Sequence, residues 1–276
     1  MKRPKHAMEV FQLLEKSNCR ECGEKTCLAF AGAVYQGRRT LGDCPHLDRQ
    51  MVAAFAAVAD DGAGSVADDF LEKMRQQAAR LDFHEVAERI GGRSDGDRLT
   101  VKILGKDFSV DRKGKFFSEL HMLPWVIAPF LTYVLTCRGR RLRGEWVSLR
   151  ELRGGAERYP LFNRRVEMAM QQIADRYTDL FADLVDLFQG RQIESHFDSD
   201  ISVVLPVFPL APLMICYWRA EEGMDSDLLL FFDRSADDNI GIDSAYTLAA
   251  GLTQMFEKLA QRHGVSFDQV SAGSSR

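Results

Sequence analysis

Four cysteines lie close together near the start of the chain, at a spacing that is typical of metal ligands. The spacing is C-x2-C-x4-C-x16-C, a proline directly follows the last cysteine, and the positions are Cys19, Cys22, Cys27 and Cys44. Four thiolates repel one another unless a cation or a cluster compensates their charge. The pattern therefore predicts an iron–sulfur cluster, a structural zinc ion or, if the thiols are oxidised, two disulfides.

The details of the spacing favour one of these three sites. Disulfides are typical of small secreted domains, whereas this chain has 276 residues and begins MKRPKHAMEVFQLLEK, without the apolar core of a signal peptide. Structural zinc sites usually contain two short cysteine pairs or histidines, while the fourth cysteine here stands alone before Pro45. Iron–sulfur proteins commonly take three cysteines from one loop and a remote fourth. We therefore favour a cluster in a cytoplasmic protein, with zinc and disulfides as alternatives.

The residues between the cysteines suit a negatively charged cluster. Gly23 allows a tight turn that brings backbone amides close to sulfur. Thr26 can cap a helix that begins at Cys27, which would place free N–H groups and the positive end of the helix dipole beside the cluster. Phe30 would share a face of that helix with Cys27 and could shield the cluster, but simple core packing is the favoured interpretation. The apolar spacing predicts two such helical faces, formed by Cys27, Phe30, Ala31 and Val34 and by Ala7, Val10, Phe11 and Leu14.

The cysteine segment resembles a known module. NCRECGEKTCLAFA and GDCPHL, within residues 5 to 50, are similar to the four-cysteine [4Fe-4S] module of the corrinoid iron–sulfur protein large subunit and of the B subunit of Rnf-type complexes. The resemblance implies one [4Fe-4S] cluster, whose ligands would be Cys19, Cys22, Cys27 and Cys44. The chain departs from both families, because it shows no second ferredoxin motif, no Rnf membrane helix and no corrinoid-binding region.

Composition and charge narrow the class of protein. Apolar residues make up 46% and charged residues 28%, which is ordinary for a globular protein. The net charge of −4 argues against broad nucleic-acid binding. Residues 1 to 50 carry nine Lys or Arg and six Asp or Glu, a balance of +3 that leaves −7 for the remainder. This basic rim could steer an acidic partner such as a ferredoxin or flavodoxin, or it could be ordinary solvated charge.

No membrane span is expected. The longest mostly apolar run, ISVVLPVFPLAPLMICYW at residues 201–218, contains three prolines, which a spanning helix would not readily accommodate. We interpret it as a strand, a proline-rich bend and a second strand.

The rest of the chain predicts helices that alternate irregularly with strand pairs. We expect a helix over 51–60, a helix from Ala67 to about Ile90 that Gly91 and Gly92 end, hairpin strands over 99–117 with Leu99, Val101 and Ile103 on one face, a helix after Pro129, a helix over 163–189, strands over 201–218 and 227–233, and a final helix over 248–259. The apolar side of the helix over 163–189 is expected to contain Val166, Met170, Ile173, Tyr177, Leu180, Phe181 and Leu184. Because these strands do not follow a regular βαβ order, the pattern indicates an α+β fold. The turn-rich segment DDGAGS at 60–65 predicts a boundary between a cluster module at 1–60 and an α+β domain at 66–276.

This second part also resembles a known family. YVLTCRGRRLRGEWVSLRELRGG, VLPVFPLAPLMICYWRAEEG and LLLFFDRSADDNIGIDS are similar to domain-of-unknown-function family 3786, which often follows the cluster module in anaerobic bacteria and archaea. The resemblance implies an architecture and no particular chemistry.

Two further groups of polar residues could form sites. Asp233, Asp237, Asp238 and Asp243 could bind a hard cation, but an acidic solvated turn in which Asp243 or Ser244 caps the last helix is the favoured interpretation. His196, Asp198 and Asp200 alternate as in a strand and could line one face of a site, although surface loop residues commonly show the same pattern.

The remaining candidates are single residues. Glu151 and Trp146 could face a pocket, with Trp146 more simply a packing anchor. Cys137 and Cys216 lie in apolar runs and are expected to be small buried hydrophobes. No phosphate-binding glycine loop, Rossmann fingerprint or serine elbow is present in the sequence.

Three functions are compatible with these patterns. The leading hypothesis is one-electron transfer from a [4Fe-4S] cluster to a partner protein or cofactor, for example in the reductive activation of a corrinoid. In the second, the cluster is structural or redox-sensing and the second domain is a binding module. In the third, the second domain is an enzyme that uses the electrons of the cluster.

Overall fold

The protein divides into two compact units, residues 1–70 and 71–276. The structure, a computed structural model, describes residues 7–35, 39–48, 50–52, 55, 66–177 and 179–265. Two antiparallel sheets combine with helices, which confirms the predicted α+β class. The predicted connector at 60–65 and most of the predicted helix at 51–60 lie outside the described residues. The domain ranges 1–60 and 66–276 therefore stay a prediction.

The first unit is a small helical core around the cysteine segment. It contains α1 (Ala7–Gln12), α2 (Cys27–Tyr35) and a 3₁₀ turn at Leu41–Asp43. Six buried apolar side chains from these elements and their loops pack together: Val10, Leu14, Phe30, Ala31, Val34 and Leu41. The helical faces predicted from apolar spacing therefore form a core.

Two helices follow where the sequence predicts one. They are α3 (Val66–Ala79) and α4 (Phe83–Ile90). The prediction was wrong because Asp82 starts a new helix, with its carboxylate accepting hydrogen bonds from the backbone N–H groups of His84 and Glu85 at 2.9 and 3.3 Å. Gly91 ends α4 in the left-handed conformation, as the sequence predicts.

The first sheet is a four-stranded antiparallel meander. Its strands are β1 (Arg93–Ser94), β2 (Arg98–Ile103), β3 (Lys106–Asp111) and β4 (Phe116–Ser118), in that order across the sheet. Leu99, Val101 and Ile103 are buried, which confirms the predicted hairpin and its apolar face.

Four helices and a π-helical turn cover the middle of the second unit. They are α5 (Pro124–Thr136), α6 (Gly155–Phe162), the π turn (Asn163–Glu167), α7 (Met168–Arg176) and α8 (Leu180–Phe188). Helix α5 begins before Pro129, contrary to prediction, because Pro124 occupies its first turn, where no backbone N–H is needed. The single helix predicted over 163–189 is also wrong, since α7 ends before Tyr177. Its predicted apolar residues are nevertheless all buried: Val166, Met170, Ile173, Tyr177, Leu180, Phe181 and Leu184.

The second sheet contains five antiparallel strands in the order β5-β9-β8-β7-β6. These are β5 (Trp146–Ser148), β6 (Arg191–Ile193), β7 (Ile201–Phe208), β8 (Ala211–Trp218) and β9 (Asp227–Asp233). Strands β7 and β8 confirm the predicted strand, bend and strand, with a register shift at Pro206. The short α9 (Ala236–Asn239) and the long α10 (Gly241–Arg262) complete the described residues.

In the part of the chain that the structure describes, every helix is too short or too polar to cross a membrane.

Candidate metal centre

The four cysteines predicted as ligands lie in the first unit as free thiols. Cys19 is exposed, whereas the other three are half-buried and pack against the unit's apolar core. One edge of the group is thus open to solvent and the opposite edge rests on hydrophobic side chains.

The pKa of the Cys44 thiol depends on the other three cysteines. Burial raises the pKa of Cys44, a hydrogen bond from the His46 backbone N–H lowers it, and the charges of the other three cysteines raise it again. All three neighbours therefore lie near enough to oppose ionisation of Cys44. A bound cation or cluster would remove that opposition, since it compensates the thiolate charge.

Thr26 positions the third cysteine. Its hydroxyl accepts a hydrogen bond from the Ala29 backbone N–H at 3.1 Å, and α2 begins at Cys27. This confirms the predicted helix cap. Cys27 consequently lies in the first turn, where unpaired N–H groups and the helix dipole favour negative charge.

Asn18 also holds Cys27, and the sequence argument missed it. The Cys27 backbone N–H donates to Asn18 Oδ1 at 2.8 Å, while the Asn18 backbone N–H donates to Cys27 Sγ at 3.3 Å. The second bond would stabilise a thiolate at Cys27. An asparagine directly before a ligand cysteine was the available signal, because asparagine often bonds nearby backbone groups.

The loop that carries Cys19 and Cys22 bends through left-handed backbone conformations. Lys16, Asn18 and Arg20 have φ angles of 61°, 51° and 66°, and Gly23 has a φ of 81°. The predicted turn at Gly23 is confirmed, with its N–H donating to the Arg20 carbonyl at 2.9 Å. Left-handed backbone at residues other than glycine is unfavourable and clusters at functional sites.

A short turn presents the fourth cysteine. Thr40 N and Thr40 Oγ1 donate to the carboxylate of Asp43 at 3.0 and 2.9 Å, and these bonds lower the pKa of Asp43. Cys44 follows directly, with its N–H donating to the Leu41 carbonyl at 3.3 Å. The remote fourth ligand is thus fixed by local hydrogen bonds within five residues.

Polar side chains in and near the cysteine loops contact one another. His46 Nε2 lies 3.2 Å from a carboxylate oxygen of Glu21, and Arg39 lies 3.7 Å from Glu24. Ligand atoms of Cys19, Glu21 and His46 lie within 4.8 Å of one another. Several basic residues of the predicted rim lie outside the described residues, so the rim stays a prediction.

The acidic residues near the end of β9 do not share one environment, because Asp233 is buried whereas Asp243 is exposed to solvent. Asp233 is buried and accepts backbone hydrogen bonds from Arg143, Gly144 and Ser235. Burial alone would raise the pKa of Asp233, but the hydrogen bonds from Ser235, Arg143 and Gly144 outweigh it and lower that pKa.

The neighbouring aspartates bind arginines. Asp237 and Asp238 contact Arg153, and Asp243 contacts Arg158. Neither Asp243 nor Ser244 caps α10, which corrects the predicted cap. Side-chain partners distant in sequence decide these roles, and the sequence alone does not reveal them.

The second predicted group, His196, Asp198 and Asp200, does not form one face of a strand. His196 and Asp198 lie in a loop before β7, not in a strand, and Phe197 and Asp198 have positive φ angles. Asp200 accepts a hydrogen bond from the Arg219 backbone N–H at 2.7 Å. The predicted strand-like alternation of these residues is therefore wrong, because Ser199 and Ser202 bond to one another and hold a turn.

The single-residue candidates are structural. Glu151 accepts hydrogen bonds from the backbone N–H and hydroxyl of Ser148, and Trp146 packs on the outer face of the second sheet. Cys137 and Cys216 are buried, as predicted, and burial raises the pKa of both thiols. Such thiols are poor nucleophiles at neutral pH.

One cleft of the second unit has a volume of about 350 Å³. It is lined by Gly91, Gly92, Arg93, Thr100, Lys102, Gly105, Gln189, Pro206 and Pro209. Its two cations, Arg93 and Lys102, both bind the carboxylate of Asp107. One carboxylate of the chain therefore contacts both cations and balances one of their two charges.

Two family models match the chain, one in each of its two predicted parts. Residues 82–255 match the family model described as "Domain of unknown function (DUF3786)", and residues 14–46 match the model described as "Putative Fe-S cluster". The second match contains all four cysteines and identifies this segment as an iron–sulfur module.

Curated relatives share shorter stretches of sequence with this chain. The chain is 30% identical to the corrinoid/iron-sulfur protein large subunit of Moorella thermoacetica over 128 residues, which are 42% of this chain and 28% of that protein. It is 49% identical over 41 residues to the acetyl-CoA decarbonylase/synthase complex subunit gamma of Methanothermobacter thermautotrophicus, and 48% over 42 residues to that of Methanopyrus kandleri. Each of these two matches covers 15% of this chain and 9% of the relative.

The chain therefore spans less than a third of the length of the curated relatives that it matches. No solved structure matches it. The resemblances to the corrinoid iron–sulfur protein and to the domain of unknown function are both confirmed.

Proposed function

The chain belongs to the family described as domain of unknown function DUF3786, and from that premise we propose that its activity lies in the N-terminal unit, as a [4Fe-4S] protein that exchanges single electrons with a partner protein. The ligands would be Cys19, Cys22, Cys27 and Cys44. When bound, the cluster supplies one-electron chemistry, in which no bond of the chain is made or broken.

The observation that carries this proposal is the convergence of four free thiols in one small unit. Burial raises the pKa of Cys44, and the charges of the other three cysteines raise it further, which supports a shared cofactor. A set of four thiolates suits either iron–sulfur or zinc. The match of residues 14–46 to an iron–sulfur family supports the first of these.

The exposure of Cys19 supports electron exchange. Its side lies at the surface of the unit, whereas the half-buried Cys22, Cys27 and Cys44 contact the core. A partner's redox centre could therefore approach the Cys19 edge without displacing the apolar side chains. The core side would exclude water and, together with the Asn18 N–H, influence the potential.

A corrinoid protein is one concrete partner. The printed names of the relatives describe a corrinoid/iron-sulfur protein and an acetyl-CoA decarbonylase/synthase complex. This chain covers 28% and 9% of these relatives, and in our proposal the corrinoid is held by a separate partner protein. Reductive activation of such a centre is the version of the proposal that we would test first.

A structural or redox-sensing cluster is the second candidate. The first unit has a core cluster of only six buried apolar side chains among its described residues, and so small a core rarely folds without a metal or another cross-link. Under this alternative, cluster loss would abolish folding or partner binding without any electron exchange. The third hypothesis, an enzyme in the second unit, stays a prediction.

Electron exchange with carriers separates the first two candidates. We expect the anaerobic, dithionite-reduced protein to reoxidise on mixing with an oxidised flavodoxin in a stopped-flow instrument, with the cluster and flavin signals changing at the same rate. Cys22→Ala should lose iron and this reaction, while the control Cys216→Ala, at a buried cysteine of the second unit, should keep both. A redox-inert cluster whose loss only unfolds the protein would favour the structural alternative.

A further inference from the structure

An exposed loop of the second unit contains four arginines in seven residues. It is the segment 138–144, RGRRLRG, which joins α5 to β5 and is called here the arginine loop. All four arginines are exposed. This concentration is notable because the residues after position 50 carry a net charge of −7.

Buried Asn239 fixes the first half of the arginine loop. Its side-chain Oδ1 accepts a hydrogen bond from the Arg140 backbone N–H at 2.9 Å, and its Nδ2 donates to the Arg140 carbonyl at 2.8 Å. The same amide donates to the Leu210 carbonyl at 2.8 Å. Asn239 is 1% exposed, so these bonds are shielded from competing water.

Buried Asp233 fixes the second half. Its carboxylate accepts hydrogen bonds from the backbone N–H of Arg143 at 3.0 Å and of Gly144 at 2.7 Å. Bonds to a charged acceptor are among the stronger ones in proteins. The arginine loop therefore has a defined backbone although it is neither helix nor strand, and such preorganisation lowers the entropy cost of binding.

The arginine side chains of this loop form fewer bonds with the rest of the chain than the loop's backbone does. Arg138 and Arg140 lie 3.2 and 3.9 Å from carboxylate oxygens of Asp238. Among the residues that the structure describes, no carboxylate forms a salt bridge with Arg141 or Arg143. Between these two cations lies Leu142, which is 44% exposed. Arginine is enriched in protein interfaces, and a bound protein would cover the exposed apolar side chain between these two cations.

The surroundings favour a protein as the bound molecule. The carboxylates of Asp238 and Glu145 near the arginine loop each pair with an arginine of this chain, so Arg141 and Arg143 remain able to attract acidic side chains. Exposed Leu142 would gain nothing from a phosphate but would be covered by a protein surface. A fold-stabilising role explains the held backbone and leaves the free cations and Leu142 unexplained.

We infer that the arginine loop docks an acidic electron-carrier protein, with Arg141 and Arg143 pairing with its carboxylates and Leu142 covered by an apolar contact. The identity of the carrier class rests on the proposed function. The docking surface itself follows from the second unit alone.

Affinity for an acidic carrier tests this inference. The full-length, anaerobically prepared protein is titrated with a flavodoxin and with a two-cluster ferredoxin by calorimetry, at low and at physiological salt. We expect the double variant Arg141→Glu/Arg143→Glu to bind at least tenfold more weakly than wild type, with a shallower dependence on salt. Leu142→Ser should weaken binding several-fold with no change in salt dependence.

A matched control carries the same charge change elsewhere. Arg164→Glu/Arg165→Glu reverses two exposed arginines of the π turn, and we expect it to change affinity less than threefold. Equal weakening by both double variants, no weakening by either, or absence of binding by wild type would overturn the inference. Tighter binding of wild type to a short DNA duplex than to either carrier would also overturn it.

Two further readouts keep the outcomes separate. Thermal unfolding shows whether the variants fold. Reduction of each variant by reduced methyl viologen, a small electron donor, shows whether the cluster accepts an electron without a docked protein. If reduced methyl viologen reduces the Arg141→Glu/Arg143→Glu variant normally and the affinity of this variant for the carriers is unchanged, the docking inference is wrong and the proposed function stands. Failed viologen reduction in wild type would defeat the proposed function instead.

Discussion

Asn18 links the backbone and the chemistry of the cysteine group at the scale of single residues. Its side chain accepts the Cys27 N–H, its own N–H donates to Cys27 Sγ, and its φ of 51° turns the chain toward Cys19. Asparagine tolerates this left-handed conformation better than most residues. One side chain therefore serves the turn, the start of α2 and the ligand.

Replacement of Asn18 tests this role. Asn18→Ala removes the acceptor for the Cys27 N–H and leaves a less tolerant residue at positive φ, so we expect cluster loss in air or chelator to accelerate several-fold. Asn18→Asp keeps the acceptor and should remain close to wild type. The decay of the visible cluster absorbance measures both rates. Equal decay in wild type and Asn18→Ala would show that the two bonds do not hold the site.

The sequence predicts some of these residues and not others. Thr26 could be recognised as a cap because a cap acts over three residues, and the cysteine pattern could be recognised from spacing. Asn18 bonds across nine residues, and the folded loop alone brings those partners together. The roles of Asp237, Asp238 and Asp243 could not be predicted for the same reason, since their arginine partners lie 84 or more residues away.

At the scale of elements, close packing and local caps decide where helices lie. The periodicity of apolar residues predicted the buried helix faces. It predicted one helix in place of α3 and α4, and one in place of α7 and α8, because periodicity does not detect a cap or a break. The sequence did not predict the π turn before α7 either. It places the buried Glu167 carboxylate to accept the Leu230 N–H at 3.1 Å, beyond the end of the pairing between β5 and β9.

The contact between α5 and α10 gives a prediction at this scale. A Cβ on Gly251 would overlap the Trp125 indole, so Gly251→Ala should lower the free energy of unfolding by about 1–3 kcal/mol. Helix propensity alone would raise it by about 1 kcal/mol. In a Trp125→Leu background the same change should be neutral or stabilising, as urea denaturation will show. Stabilisation by Gly251→Ala in the wild-type background would contradict the described packing.

The bonds of Asp233 predict a pH dependence. Hydrogen bonds lower its pKa in the folded protein, so its stabilisation is present above the unfolded pKa of about 3.9 and is lost as pH falls through the folded pKa. Asp233→Asn places an amide NH₂ against backbone donors and should cost about 1–3 kcal/mol at pH 7. Urea denaturation at several pH values should show the difference from wild type shrinking below about pH 4. A difference independent of pH would contradict this role for the carboxylate.

At the scale of the whole molecule, the two units have different kinds of core. The second unit buries a large continuous apolar cluster, whereas the apolar cluster among the described residues of the first unit contains six buried side chains, against which three of the cysteines pack. The sequence predicted the α+β class because apolar periodicity is a local property. It could not supply the strand order β5-β9-β8-β7-β6, which depends on contacts between distant segments.

This difference predicts how the molecule unfolds. Since cluster binding and folding are coupled in small metal modules, chelation of iron should unfold the first unit while the second retains its cooperative transition. Scanning calorimetry before and after iron removal should therefore show the transition of the second unit at an unchanged temperature. A single transition that disappears with the iron would indicate that the second unit also depends on the cluster.

The central claim is that four cysteines hold one redox-active [4Fe-4S] cluster, and electron paramagnetic resonance of the anaerobically purified chain tests it most directly. With iron and sulfide determined on the same sample, we predict about four of each per chain, no signal from the untreated protein, and a one-electron signal after dithionite that returns to silence on reoxidation. A site filled with zinc, or iron that gives no signal after dithionite, would contradict the claim.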